Sequence, residues 1–287
     1  MRILVLGSTG TLGQSLLRMA KGRGIVAVGA ARRGADHNAD LADHSLLVPL
    51  FDTVKPDAVV NCAAITDLNA CETAPEMADR INAKLPGEAA ALTQKCGARF
   101  VQVSTDHYFS GDRDRLHDER APVTLLNEYA RSKYKGESLA LEAAGTLAVR
   151  TNLTGWRGWD KRPTFAEWAA GALRGPDPVT GFSDYFISTI DSDSLASSIL
   201  DLLAARAEGL LNVSSSEVAD KASFLRAMAK ALGEPEGRVK DGSVASLTTP
   251  RAESLGLDVR KAEGILGYRL PGLNDVVTSL VRTMPHP

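Results

Sequence analysis

A doubly wound α/β fold, with a parallel sheet and a smaller C-terminal region, is the class the sequence predicts, and three observations predict it. Short apolar runs rich in β-branched residues recur through the first half of the chain. Longer segments with helical spacing of apolar residues separate them. A glycine-rich turn, Gly7-Ser-Thr-Gly10-Thr-Leu-Gly13, joins the first run to the first helical segment.

The candidate strands are Ile3–Leu6, Ile25–Val28, Ala58–Asn61, Phe100–Ser104 and Leu147–Arg150. They are apolar on both faces, which suits a parallel sheet covered by helices on either side. Between them, Thr11–Lys21, His44–Lys55, Pro75–Lys95 and Asn127–Ala144 read as helices. The alternation calls for right-handed crossovers. Beyond Arg150 the rhythm changes. Gly, Trp and Pro crowd the stretch from Gly155 to Pro178, so irregular connections are expected. A helix follows at Asp193–Ala205, capped by Asp191 or Asp193, then a short strand at Leu210–Val213. Asp220–Leu232, Asp258–Leu266 and Leu273–Thr283 read as helices, and Gly242–Gly256 as a long loop. The expected organisation is a sheet domain over residues 1–151 and a smaller, α-rich region over 152–287. A segment near 189–213 returns to the sheet domain, and the smaller region packs over the carboxyl edge of the sheet, where open α/β sheets place ligands.

The composition excludes several classes of function. Of 287 residues, 33 are Lys or Arg and 35 are Asp or Glu, so no strong field invites nucleic acid or an anionic membrane surface. Cys62, Cys71 and Cys96 are odd in number and lack metal-ligand spacing, which suits reduced thiols in a cytoplasm. None of the five histidines pairs with another at helical spacing, and no metal is expected. No stretch approaches eighteen consecutive apolar residues, so no membrane span is expected. The apolar start, Met1 to Gly7, is too short for a secretory signal.

The glycine turn is the first carrier of chemistry. Gly7, Gly10 and Gly13 permit a tight turn and close backbone approach to a pyrophosphate, with Thr9, Thr11 and Leu12 completing the loop. The following helix N-terminus supplies free N–H groups and positive partial charge. At the end of the second strand, where a carboxylate meets the ribose of NAD, the chain reads Val28-Gly-Ala-Ala-Arg32-Arg33. Two arginines there match the 2′-phosphate of NADP, so NADP(H) is the expected cofactor. Asp40-Leu41 comes shortly after, within reach of an adenine. Cys62, Ala63 and Ala64 end the third strand with small side chains, which either line a dinucleotide or pack a helix.

Tyr129 and Lys133 lie four residues apart in a helical segment, on one face. A free phenol has a pKa of about 10, and a neighbouring ammonium favours its ionised form. Moving it to neutral pH needs about 4 kcal/mol, so a second cation or burial must help the lysine. Ser104-Thr105-Asp106 ends the fourth strand, where a hydroxyl can bond a substrate carbonyl and the developing alkoxide.

Together these residues resemble an extended short-chain dehydrogenase/reductase, Rossmann-like in fold, and within it the dTDP-4-dehydrorhamnose reductase group. Further points of likeness are Val60-Asn-Cys-Ala-Ala-Ile-Thr66, Ala70-Cys-Glu72, Asn82 with Pro86, and Asn127-Glu-Tyr-Ala-Arg-Ser-Lys-Tyr-Lys-Gly-Glu137. Thr249-Pro-Arg251, Leu257-Asp258, Lys261 and Leu266-Gly-Tyr-Arg-Leu-Pro271 are similar to the closing segment of that group. The resemblance implies that Tyr129 donates a proton, Lys133 holds the nicotinamide ribose and tunes Tyr129, and Thr105 binds the carbonyl oxygen. Oxidised nicotinamide adds the second positive charge. Arg251 is implied as a phosphate ligand of a nucleotide sugar, and Asn152 as a contact to nicotinamide or sugar. The implied protein is a cytoplasmic NADPH-dependent reductase of a nucleotide-linked 4-keto-6-deoxy sugar in deoxysugar biosynthesis, with a homodimer among its allowed assemblies. Residues 1–151 become the dinucleotide-binding domain and 152–287 the mainly substrate-binding region.

Departures from the group fall on the sugar side. Its Ser-Thr-Asp-Tyr-Val-Phe run is Ser104-Thr-Asp106-His107-Tyr-Phe109 here, which puts Asp106 and His107 beside the substrate. Leu153 replaces a tryptophan, while Trp156 and Trp159 follow and either wall the sugar or fill a core. Phe186-Ile-Ser188-Thr189 and Pro250-Arg-Ala252 also differ from the group. Two rival readings stay open: an epimerase or dehydratase with bound NAD, and a silent NADP-binding regulatory subunit.

Overall fold

In the computed structural model, residues 1–159, 162–246 and 251–285 are described. Contacts divide the chain into two units: Met1–Thr105, Leu125–Arg150 and Ala196–Leu211 form the first, and Asp106–Thr124, Thr151–Leu195 and Asn212–Pro287 the second.

The first unit is built on β1 (Arg2–Leu6), β2 (Val26–Ala31), β3 (His37–Asn38), β4 (Ala58–Asn61), β5 (Arg99–Val103), β6 (Thr146–Arg150) and β11 (Gly209–Asn212). Their order is β11-β6-β5-β4-β1-β2-β3, and β1 pairs in parallel with β2 and with β4. The chain therefore moves to one side of β1 and returns to build the other. That reversal lies between β1 and β4, the switch point where doubly wound sheets open a crevice. Its helices are α1 (Thr11–Gly22), α2 (Leu47–Val54), α3 (Leu68–Thr73), α4 (Pro75–Ala78), α5 (Leu85–Lys95) and α6 (Glu128–Leu141). Leu4, Leu6, Val59 and Phe100 of the strands pack with Leu47, Phe51, Leu85 and Ala140 of the helices in one buried cluster.

Two expected helices are not continuous. His44–Leu46 forms a tighter 3-10 turn ahead of α2, started by Asp43, whose carboxylate accepts from Ser45 N. Asp79–Lys84 is a π turn between α4 and α5. Pro86 supplies no N–H for the carbonyl of Asn82 four residues earlier, so the ladder widens there.

The second unit contains β7 (Asn152–Thr154), β8 (Val179–Phe182), β9 (Phe186–Ile187), β10 (Thr189–Asp191), β12 (Ala219–Asp220), β13 (Val239–Gly242) and β14 (Ser254–Leu255). They make three small sheets, β10-β7, β12-β9-β14 and β13-β8. Helices α7 (Phe165–Arg174), α9 (Lys221–Leu232) and α11 (Leu273–Thr283) share a core of Ala169, Leu173, Phe224, Leu225, Val276 and Leu280. α10 (Arg260–Leu266) also belongs to this unit, whereas α8 (Ser192–Ala204) belongs to the first unit from Ala196 onward.

Two expectations for this half need correction. The stretch from Gly155 to Pro178 holds a regular helix, α7, rather than irregular connections alone. Thr164 and Glu167 close a capping box at its start, and Ala166, Ala169, Ala170 and Leu173 form its buried stripe. The loop expected over Gly242–Gly256 contains β14, which pairs in parallel with β9. Thr249 and Pro250 lie outside the described residues.

Candidate functional site

The glycine turn is held at the switch point by backbone contacts that leave no room for side chains. Gly7 has φ +77°, and a Cβ on it would sit 2.7 Å from Ala63 N. A Cβ on Gly13 would lie 2.5 Å from Gly7 O. Asn61, at the end of β4, anchors the opposing strand end: its Oδ1 accepts from Ala63 N (3.1 Å) and its Nδ2 donates to Gln102 Oε1 (2.9 Å). Gly10 starts α1 with no side-chain cap, and the first turn carries no acidic residue. The N–H groups of that turn are therefore offered to an anion.

Gly34 follows Arg32 and Arg33 with φ +71°, and a Cβ on it would meet Thr9 Cγ2 at 4.0 Å, which brings the arginine loop beside the glycine turn. Both arginines are exposed and form no ion pair among the described residues. Asp36, which the sequence reading passed over, accepts from Gly29 N at 2.7 Å. Asp40 turns its carboxylate onto Ala42 N (3.0 Å), and Leu41 is buried in the core cluster of the unit. No described contact ties either to the glycine turn.

Tyr129, Lys133 and Glu137 fall on one face of α6, and all three are buried. Asn127 caps this helix by accepting from Ala130 N at 2.9 Å. Tyr129 packs with Cys71, Ala78, Ile65 and Leu68. The Lys133 ammonium donates to Val103 O at 2.7 Å, at the end of β5 and two residues before Thr105. Burial pushes its pKa down to about 8, against the raising influence of Glu137. The Cys62 and Cys71 thiols are raised to about 12 and about 11, chiefly by burial, so both are neutral and neither is an activated nucleophile.

Glu137 is the member of this set that the sequence reading did not single out. Its carboxylate accepts from Arg150 Nη2 at 2.7 Å and Nε at 3.0 Å, and from Ser104 Oγ at 2.7 Å. Helix α6, the end of β5 and the end of β6 are thereby joined through one buried carboxylate. Its position four residues beyond Lys133 was the available signal.

Asn82, in the π turn, holds the strand end after β4. Its side chain accepts from Ile65 N (2.8 Å), donates to Ile65 O (3.0 Å), and reaches Ser132 Oγ (3.2 Å) on α6. Small residues at Cys62–Ala64 thus serve a strand end that is pinned from both sides.

In the second unit, Asp106 is buried, and its Oδ2 accepts from Asn152 Nδ2 at 2.6 Å. Asn152 Oδ1 in turn accepts from Thr189 Oγ1 at 2.7 Å. The His107 imidazole is pushed down to about 4, by burial first and then by the charges of Lys221 and Arg251, and is neutral near pH 7. Trp156 packs against the core of this unit and donates its indole N–H to Leu280 O at 3.0 Å, whereas Trp159 is exposed beneath the Arg157 guanidinium. Among the described residues no cluster could hold a metal ion, and no helix is long and apolar enough to cross a membrane.

The family model described as RmlD substrate binding domain matches residues 1–284. The chain belongs to this family. It is 30% identical over 98% of its length to a probable low-salt glycan biosynthesis reductase of Haloferax volcanii, 97% of which is covered. It is 31% identical to the dTDP-4-dehydrorhamnose reductase of Mycobacterium tuberculosis, over 88% of this chain and 83% of that protein. Among solved structures, the dTDP-4-dehydrorhamnose reductase of Bacillus anthracis in complex with NADP superposes with a TM-score of 0.88 at 21% identity, covering 99% of each chain. A hypothetical dTDP-4-dehydrorhamnose reductase from Sulfolobus tokodaii gives 0.82 at 27% identity, over 94% of this chain and 96% of that one. The doubly wound parallel sheet expected from the sequence is the fold of these structures.

Proposed function

We propose that this chain is an NADPH-dependent reductase of a nucleotide-linked 4-keto-6-deoxy sugar, related in activity to the dTDP-4-dehydrorhamnose reductases it resembles. The observation that carries the reading is the buried stripe on α6, with Tyr129 and Lys133 on one face and the Lys133 ammonium tied to the β5 end that leads into Thr105. The glycine cradle fits a pyrophosphate, because a Cβ at Gly7 or Gly13 would fill it. The exposed Arg32 and Arg33 fit a 2′-phosphate. In this reading the sheet unit holds the dinucleotide and the second unit holds the nucleotide sugar. The unbridged cysteines support a cytoplasmic location.

The bound cofactor supplies the hydride that reduces the sugar carbonyl carbon. Tyr129 gives its phenolic proton to the oxygen as that oxygen becomes an alkoxide, so a secondary alcohol forms and a phenolate remains to be reprotonated from solvent. The Thr105 hydroxyl hydrogen-bonds the same oxygen and stabilises its growing charge. The Lys133 cation favours the phenolate and orients the ribose. Burial of Tyr129 and Lys133 strengthens each of these interactions over its value in water.

The test is a panel of nucleotide-linked keto-sugars offered with NADPH and with NADH, followed by loss of reduced-nicotinamide absorbance. Oxidation of NADPH by at least one 4-keto-6-deoxy sugar nucleotide is expected. Tyr129→Phe should lower kcat by about two to four orders of magnitude while NADPH still binds. Cofactor binding with no turnover on any member of the panel would remove the reductase reading.

A further inference from the structure

Lys221 opens α9 in an unusual setting. Its Nζ lies 4.5 Å from the centroid of Phe165 and 4.7 Å from that of Tyr185, so two rings enclose the ammonium. The walls are firm: Phe165 packs on Trp168 and Phe224, and Tyr185 is buried with Ile187, Ala252 and Leu255. Lys221 Nζ has no hydrogen bond and no ion pair among the described residues, and the buried Nε of Arg251 has no hydrogen-bond partner. Arg251 adjoins Ala252 in the Tyr185 cluster, and its charge acts directly on Lys221.

Two neighbouring cations without an ion pair need a physical reason. The titratable and charged groups that face Lys221 are Asp106, His107, Tyr185 and Arg251. Asp106 is the carboxylate among them, and Asn152 already holds it at 2.6 Å. Cation–π contacts return less free energy than is lost on burying an ion. Burial pushes the Lys221 pKa down to about 8, the Asp106 carboxylate opposes that shift, and the Arg251 charge adds to it. With two cations against one carboxylate, which Asn152 also engages, the local balance stays positive.

We propose that Lys221, braced by Phe165 and Tyr185, joins Arg251 in a clamp for the diphosphate of the nucleotide sugar. The assignment rests on the reductase reading for the identity of the ligand, and on the Lys221–aromatic geometry for the site. The rings prevent the lysine stem from folding away and leave its three N–H donors for phosphate oxygens. Anion binding holds the proton on Lys221, so affinity for the diphosphate decreases as pH rises past the point where the free ammonium titrates.

The test is calorimetric titration of the full chain with a nucleoside diphosphate, the parent nucleoside, inorganic pyrophosphate and NADPH. In Lys221→Met, diphosphate and pyrophosphate affinity should fall about tenfold or more, while nucleoside and NADPH affinity stay at wild-type values. Retained NADPH binding reports that the variant is folded. Lys221→Arg should restore the affinity and abolish its decline between about pH 7.5 and about pH 9.5, because a guanidinium does not titrate there. Wild-type diphosphate affinity in Lys221→Met overturns the clamp and leaves the nucleotide-sugar reading intact. Lys221-dependent binding of pyrophosphate with no nucleoside diphosphate bound keeps the clamp and removes the nucleotide-sugar reading.

Discussion

Glu137 illustrates how one buried side chain can set the geometry of a reaction it does not perform. Its carboxylate takes a paired contact from Arg150 and a third bond from Ser104, the residue before Thr105. Removing one member of a buried ion pair leaves the other charge stranded, at a cost of about 3–5 kcal/mol. Glu137→Ala should therefore shift the denaturant midpoint far more than a surface change would. Glu137→Ala combined with Arg150→Ala should recover part of the loss, and strictly additive losses would show that the pair is not coupled. Arg32 and Arg33 make the opposite kind of prediction. They are exposed and unpaired among the described residues, so replacing both by serine should leave stability within about 0.5 kcal/mol of wild type. NADPH affinity should fall about tenfold or more and NADH affinity should hold. Equal loss for both cofactors, measured by fluorescence titration, would place the arginines elsewhere.

Among the elements, α6 is the most constrained. A Cβ on Gly136 would lie 1.9 Å from Asn82 O in the π turn, against backbone that cannot swing aside. Gly136→Ala should thus destabilise by about 1–3 kcal/mol or more and, through α6, lower activity beyond what the lost stability explains. Gly171 in α7 is the control. Nothing lies within 4 Å of a Cβ there, so Gly171→Ala should stabilise by about 0.5–1 kcal/mol. A stabilising Gly136→Ala in urea unfolding would contradict the packing argument. The two glycines also show what the sequence could and could not reveal. Sheet strands such as Ala58–Asn61 were legible because burial on both faces leaves an uninterrupted apolar run. The Tyr129–Lys133 face was legible because helical spacing alone aligns the two residues. Helix α7 was obscured by its Gly, Pro and Trp neighbours, although Thr164 and Glu167 form a capping box three residues apart. The Gly136 contact depends on an approach between segments more than fifty residues apart, which no local pattern encodes.

For the whole molecule, the depressed bases determine how stability responds to pH. His107 is lowered from 6.5 to about 4, and Lys133 and Lys221 from 10.5 to about 8, each chiefly by burial. A base whose folded pKa lies below its unfolded one binds fewer protons in the folded state between those two values. Stability therefore rises with pH across that window. For His107 the window runs from about 4 to 6.5, and for the two lysines from about 8 to 10.5. Carboxylates held below their usual range, such as Asp79 by Lys135 and Asp258 by Arg260, remove further stability only at more acid pH. These groups belong to both units, and the acid and alkaline windows do not overlap. Urea midpoints measured across the pH range should fall as acid is added through the histidine window and climb through the lysine window. In His107→Gln the acid slope should flatten while the alkaline one persists, and in Lys221→Met the alkaline slope should lose about half its height. Saturating diphosphate should abolish the Lys221 part of the climb, because the bound anion keeps that ammonium protonated in the folded state. Midpoints that stay level through both windows would mean that these three bases are solvated in the native protein, and would remove the electrostatic basis for the Lys221–Arg251 clamp.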